Sequence, residues 1–208
     1  MKNTICFLLL CVSTIFSQVN INGNDVTLYQ FDSDNMSDND IIIFSSGENV
    51  KVSDGKLKLL PVFKNNIVRT RLRSKVMNGS EIVLKIDNLP FNGVGNIKLL
   101  TSDNNFIQLK FYDNEGSKSI VVSEKILSAQ ENYIYRKITP ISTPVLFKIH
   151  LQKDKTVFSI GYAGRSFNNI FETDLSLDNA MIQLEASSRV DNYHTGIDID
   201  WIIVSTKK

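Results

Sequence analysis

Apolar and polar side chains alternate with a period of two through most of the chain, the pattern of strands that bury one face. In residues 80–87, Ile82, Leu84 and Ile86 face one way, while Glu81, Val83, Lys85 and Asp87 face the other. In residues 105–112, Ile107, Leu109 and Phe111 oppose Gln108, Lys110 and Tyr112. In residues 145–152, Phe147, Ile149 and Leu151 oppose Lys148, His150 and Gln152. Ile182, Leu184 and Ala186 oppose Met181, Gln183 and Glu185. Near the end, Ile197, Ile199, Trp201 and Ile203 share one face, and Asp198, Asp200, Ile202 and Val204 the other.

Turn-forming pairs separate these runs: Asp54-Gly55, Asn78-Gly79, Asn92-Gly93, Asn104-Asn105, Glu115-Gly116 and Asp154-Lys155. About thirteen strands are predicted. No segment of ten or more residues keeps a 3.6-residue apolar period. Many short strands, each with one apolar face, predict an all-β fold of two antiparallel sheets packed face to face. Residues 31–40 hold four Asp and no strand pattern, so they are predicted to be the loosest region.

Composition narrows the function classes. The chain has 208 residues with Lys+Arg 23 against Asp+Glu 22, so it lacks the basic excess of a nucleic-acid binder. A hydrophobic content of 42% excludes a disordered chain. Residues 1–17 read as a secretory signal: Lys2, then an apolar run over 5–16 broken by Ser13 and Thr14, then the small Ser17 before Gln18. About twelve apolar residues are too few to span a bilayer core of roughly 30 Å. No later segment approaches a membrane span. Both cysteines, Cys6 and Cys11, fall inside that signal. The mature chain, residues 18–208, would then be a single thiol-free domain that is secreted or held at the cell surface. Leu10 before Cys11 fits poorly with a lipoprotein signal.

The order of features resembles the concanavalin A-like lectin/glucanase superfamily. Three stretches carry the likeness. Residues 32–59 end in Val52-Ser53-Asp54-Gly55-Lys56-Leu57-Lys58-Leu59. Residues 93–112 include Gly95, Leu99 and Asp103-Asn104-Asn105-Phe106-Ile107-Gln108-Leu109. Residues 146–204 run from Phe147-Lys148-Ile149 through Gly164 and Phe167 to Ile199-Asp200-Trp201-Ile202-Ile203-Val204. The last stretch is similar to the non-catalytic C-terminal modules of xylosidase-like enzymes, and to the laminin-G type. The resemblance implies a jelly-roll sandwich and a lectin-like function. A glucanase of this superfamily carries Glu-x-Asp-x-x-Glu; here Glu172-Thr173-Asp174 is followed by Leu175, Ser176 and Leu177.

Candidate chemistry lies on predicted strand faces. Arg69, Arg71 and Arg73 alternate with Val68, Thr70 and Leu72, giving guanidiniums about 7 Å apart that could bind carboxylates or sulfates bidentately. The competing reading pairs these arginines across strands with Glu81, Asp87 or Glu185. Arg69-Thr70-Arg71-Leu72-Arg73 and Lys148-Ile149-His150 faintly resemble strands of jelly-roll alginate lyases, with Arg71 and Lys148 departing from the pattern. Asp32, Asp34, Asp38 and Asp40 are oxygen ligands of the kind calcium takes, although the EF-hand spacing fails; the alternative is a solvated loop. Asp198 and Asp200 share a strand face but read as structural, and Trp201 reads as core.

The first functional expectation is a secreted, non-catalytic carbohydrate-binding or surface-interaction module for acidic glycans. Its site would be Arg69, Arg71, Arg73, Gln108, Lys110, Tyr112, Lys148 and His150, lining an exposed concave sheet. Its partner would be a glycan or cell-surface polysaccharide, and no cofactor is implied, a structural calcium at the Asp loop being optional. Two alternatives stand beside it: a glycoside hydrolase or polysaccharide lyase of the jelly-roll type, and a structural subunit that assembles with other envelope or adhesion proteins.

Overall fold

The structure, a computed structural model, describes residues 17–21, 24–31, 41–43, 49–89, 92–115, 117–126, 132–138, 141–163, 165–189 and 196–207. Among these the chain forms sixteen strands and no helix. They are β1 (Ser17–Ile21), β2 (Asn24–Gln30), β3 (Ile41–Ile43), β4 (Val50–Ser53), β5 (Lys56–Leu59) and β6 (Ile67–Val76). Next come β7 (Glu81–Asn88), β8 (Gly93–Ser102), β9 (Asn105–Asn114), β10 (Ser117–Lys125) and β11 (Asn132–Ile138). The last are β12 (Val145–Leu151), β13 (Thr156–Gly161), β14 (Asn168–Thr173), β15 (Ala180–Ser188) and β16 (Ile197–Lys207). The count exceeds the predicted thirteen because strands as short as the three-residue β3 carry no readable alternation.

The strands form two sheets. Sheet A runs β1-β2-β16-β7-β12-β13-β14, with the β4–β5 hairpin attached through β5 to β16. Sheet B runs β11-β10-β9-β8-β15-β6-β3. Neighbouring strands are antiparallel throughout, so the fold is an all-β jelly-roll sandwich. The inward residues of both sheets merge into one core, including Leu57, Leu72, Leu84, Ile86, Leu99, Leu109, Phe147 and Ile182. Phe111 of sheet B and Phe147 of sheet A stack across it, with ring centroids 5.7 Å apart. Gly95 leaves room for the Phe111 ring; a Cβ there would lie 1.8 Å from Cε2. Tyr29 is buried in sheet A and its hydroxyl donates to Ser74 Oγ of sheet B, a polar tie between the layers.

Turn chemistry sets the hairpins. Asp54 and Gly55 both adopt positive φ (54° and 70°), as a two-residue turn between β4 and β5 requires. Most residues on both faces of β9 and β15 are buried, whereas alternation holds along β7 and β12. It slips in β16. The register against β7 shifts between Asp198 and Ile199 and again between Ile199 and Trp201. Ile197 and Ile199 point inward before the shift, and Ile202 and Val204 after it. Trp201 and Ile203 therefore turn outward and are only half-buried, which corrects the reading of Trp201 as core.

Candidate polar face on sheet B

Paired residues on adjacent strands share a face, so the registers place the outward side chains of sheet B in rows. One row crosses five strands as Arg71–Gln183–Lys98–Gln108–Ser123. The next runs Arg69–Glu185–Asn96–Lys110–Val121. Five of the predicted residues, Arg69, Arg71, Gln108, Lys110 and Tyr112, thus meet on one face. Arg73 lies where β6 carries two extra residues against β15, so it is exposed and out of row. Lys148 and His150 lie on the outer face of sheet A, on the far side of the core, and do not join the others. Lys148 pairs with Glu81 at 3.4 Å, and its ammonium stands 5.0 Å from the Phe167 ring.

Glu185 is the centre of the face. It is buried, and its Oε1 accepts a hydrogen bond from Gln183 Nε2. Its Oε2 accepts from Asn96 Nδ2 at 2.9 Å. Arg69 Nε is 3.8 Å and Lys98 Nζ 3.9 Å from Oε1. Arg71 donates through Nε to Gln183 Oε1, and through a terminal nitrogen to Asp103 Oδ1 at 3.2 Å. Gln108 Nε2 donates to Ser123 Oγ at 3.0 Å. The cross-strand pairing of Arg69 with Glu185 matches one of the pairings weighed from the sequence. Glu81 and Asp87 instead belong to sheet A.

The face is not uniformly wet. Gln108 is 2% and Lys110 8% exposed, and the outward Leu100 and Phe106 are also buried. Lys98 Nζ lies 4.2 Å over the Phe106 ring, so its stem shields the apolar side chain while the ammonium stays beside Glu185. Arg69 and Arg73 form a more open rim on β6, with Arg69 at 41% side-chain exposure. Asn96 Oδ1 is buried without a hydrogen-bond partner. Its orientation follows from Glu185: turning the amide over would set oxygen against oxygen.

Among the described residues of the two rows, Arg69, Arg71, Lys98 and Lys110 stand against the single Glu185 carboxylate, with Asp103 at the rim. The chain's overall charge of +1 hides this local excess. Sequence reasoning did not place Asn96, Lys98 and Gln183 in the site. Their signal was present, as polar residues at alternate positions in apolar strands, but the register that aligns them with β6 could not be read.

The other candidates fall elsewhere. Asp32, Asp34, Asp38 and Asp40 lie outside the described residues. Among the described residues no three His, Cys, Asp or Glu side chains are grouped to hold a metal ion. Asp200 pairs with Lys85 at 2.5 Å on the outer face of sheet A. Burial pushes the neighbouring Asp198 carboxyl up. Burial also works to raise Asp87, but Lys56 at 2.8 Å and Lys85 at 3.4 Å hold it below the usual carboxylate range. Glu172 and Asp174, the near-match to the glucanase motif, line an open cleft of about 460 Å³ with Glu124, Ile126, Phe171, Thr173 and Leu175. Glu172 is paired with Lys155 at 2.8 Å, and Thr173 Oγ1 donates to Glu124 at 3.3 Å.

No protein-family model and no curated protein matches the chain. Solved structures do. The GH43 protein BlXynB of Bacillus licheniformis aligns over 85% of this chain at a TM-score of 0.69 and 18% identity. A xylan β-1,4-xylosidase of Bacillus halodurans aligns over 85% at 0.67 and 11% identity. This chain spans only 38% of the length of either. A β-1,3-1,4-glucanase (lichenase) from a mouse hindgut metagenome aligns over 86% of this chain and 98% of its own, at 0.63 and 11% identity. At these identities the likeness shows the fold, a two-sheet jelly-roll sandwich.

Proposed function

We propose that the chain is an exported, non-catalytic glycan-binding module, and that the sheet B face takes the acidic groups of its ligand. The observation that carries this reading is the set of four cations that the described residues place in the two rows around Glu185. Four cations meet there on a rigid sheet, with amides between them suited to hydroxyl groups. Strand-borne side chains held by cross-strand bonds are pre-organised, so little rotamer freedom is lost on binding. The solved structures that share the fold include proteins named as xylosidase and glucanase, which supports a sugar ligand over other anions. The test is titration of the full chain with acidic and neutral oligosaccharides. Acidic glycans should bind, and Arg71→Ala should weaken them about tenfold or more, the loss expected for a charge-assisted hydrogen bond. Failure to bind any acidic or neutral glycan would sink the reading.

A further inference from the structure

We infer that the ligand is a pyranose polymer whose rings stack on an uncharged row beside the charged band, with Phe63 as the exposed platform. This rests on the glycan reading above and assigns the half of the site that charge does not explain. A third outward row, Ile67–Ser187–Val94–Tyr112, runs next to Arg69–Glu185–Asn96–Lys110, two residues further along each strand. Two residues of strand is about 7 Å, which is within the width of one sugar ring and its substituents. The row crosses four strands, so it extends about 14 Å.

Ile67 is 48% exposed at the open end of this row, and Phe63, four residues earlier, is 61% exposed. The Phe63 loop is tied down. Asn65 N donates to Ser188 O at 2.9 Å, Asn66 N donates to Phe63 O at 3.0 Å, and Lys64 bridges to Ser188. Asn65 adopts φ 64°, a left-handed conformation that Asn tolerates better than most residues. The loop is thereby clipped to the end of β15 and leads directly into β6. One residue beyond Ser188, Arg189 lies with its guanidinium 5.5 Å over the Tyr112 ring. Its backbone N–H is fixed to Asn92 O at 3.0 Å.

The row thus offers Ile67 and Val94 as apolar side chains beside the Arg69 row, with Ser187 between them and the Tyr112 ring covered by the Arg189 guanidinium. A pyranose ring offers a matching pair of surfaces: a C–H face for these apolar side chains, and a rim of hydroxyls and acidic substituents for the band. An anionic peptide matches only the band. Uronate and sulfate present the same kind of anionic substituent, and the ligand panel separates them.

The experiment titrates the full chain, Phe63→Ala, Phe63→Tyr and Arg71→Ala with four probes: oligogalacturonate, a sulfated galactan oligosaccharide, neutral xylo-oligosaccharide and poly-glutamate. Phe63→Ala should weaken the acidic oligosaccharides about three- to tenfold, while poly-glutamate binding stays unchanged and Phe63→Tyr keeps wild-type affinity. Phe63 is mostly exposed, so these variants should fold. If Phe63→Ala binds the acidic oligosaccharides as tightly as wild type while Arg71→Ala loses them, the stacking inference fails and the glycan reading stands. An equal loss for poly-glutamate also overturns the inference. Absence of glycan binding by the wild type overturns both.

Discussion

Glu185→Gln separates the two roles of the polar face, stability and charge. In the wild type both carboxylate oxygens accept amide hydrogen bonds, one from Gln183 and one from Asn96. A Gln amide can accept at only one of these positions, so one N–H is set against another. Leaving a buried donor unsatisfied costs about 1–3 kcal/mol. Arg69 at 3.8 Å and Lys98 at 3.9 Å lose their counter-charge as well. Arg69 is 41% exposed, so its share is screened by solvent. The expected loss is about 2 kcal/mol, or a fall in Tm of about 4–8 °C for a chain of this size. The same change makes the face more positive. One unit of charge about 7 Å from a bound anion is worth roughly 1 kcal/mol at a partly exposed site. Acidic oligosaccharides should therefore bind several-fold tighter although the protein is less stable. Thermal melts and titration calorimetry on the same samples check both effects. Unchanged stability would remove Glu185 from the centre of the network. Weaker binding of acidic glycans would refute the electrostatic reasoning.

Two further predictions concern the scaffold. A Cβ at Gly196 would lie 1.6 Å from the backbone oxygen of Leu59, whereas one at Gly95 meets the Phe111 ring. A ring can shift and a paired backbone cannot, so Gly95→Ala should cost about 1–3 kcal/mol and Gly196→Ala more; the reverse order in urea melts would contradict the packing described. Burial raises the Asp198 pKa, so ionising it opposes folding: its stabilising share is full below the unfolded value and is lost as pH rises through the folded value. Asp198→Asn should thus raise Tm at pH 7, by up to about 1 kcal/mol of stability, and the gain should shrink as pH falls below the ordinary carboxylate range. Asp87 titrates with the opposite sign, its support lost as pH falls through its lowered value, so Asp87→Asn should destabilise at pH 7. A lower Tm for Asp198→Asn at pH 7 would contradict the burial account.

The fold was legible because strands such as β5, β6, β7 and β12 bury one face and alternate cleanly, as in Phe147-x-Ile149-x-Leu151. What alternation cannot show is which strand lies beside which. Lys148 and His150 resemble Gln108 and Lys110 in pattern, yet the topology puts β12 and β9 in different sheets. Trp201 was misplaced by a register shift, which leaves no mark in a period-two pattern. Asn96, Lys98 and Gln183 were visible as alternating polar positions, but they join Arg69 and Arg71 only through the β15 registers with β6 and β8. Phe63 lies in a loop, where periodicity says nothing.

The most direct measurement of the central claim is backbone amide chemical-shift mapping while an acidic oligosaccharide is titrated into the full chain. The account predicts saturable shifts concentrated on β6, β15, β8 and β9, around Arg71, Gln183, Glu185, Lys98 and Lys110, with the outer face of sheet A around Lys148 and Asp200 unmoved. Shifts centred on sheet A or on the Glu124–Glu172 cleft, or no saturable shift with any acidic glycan, would contradict it.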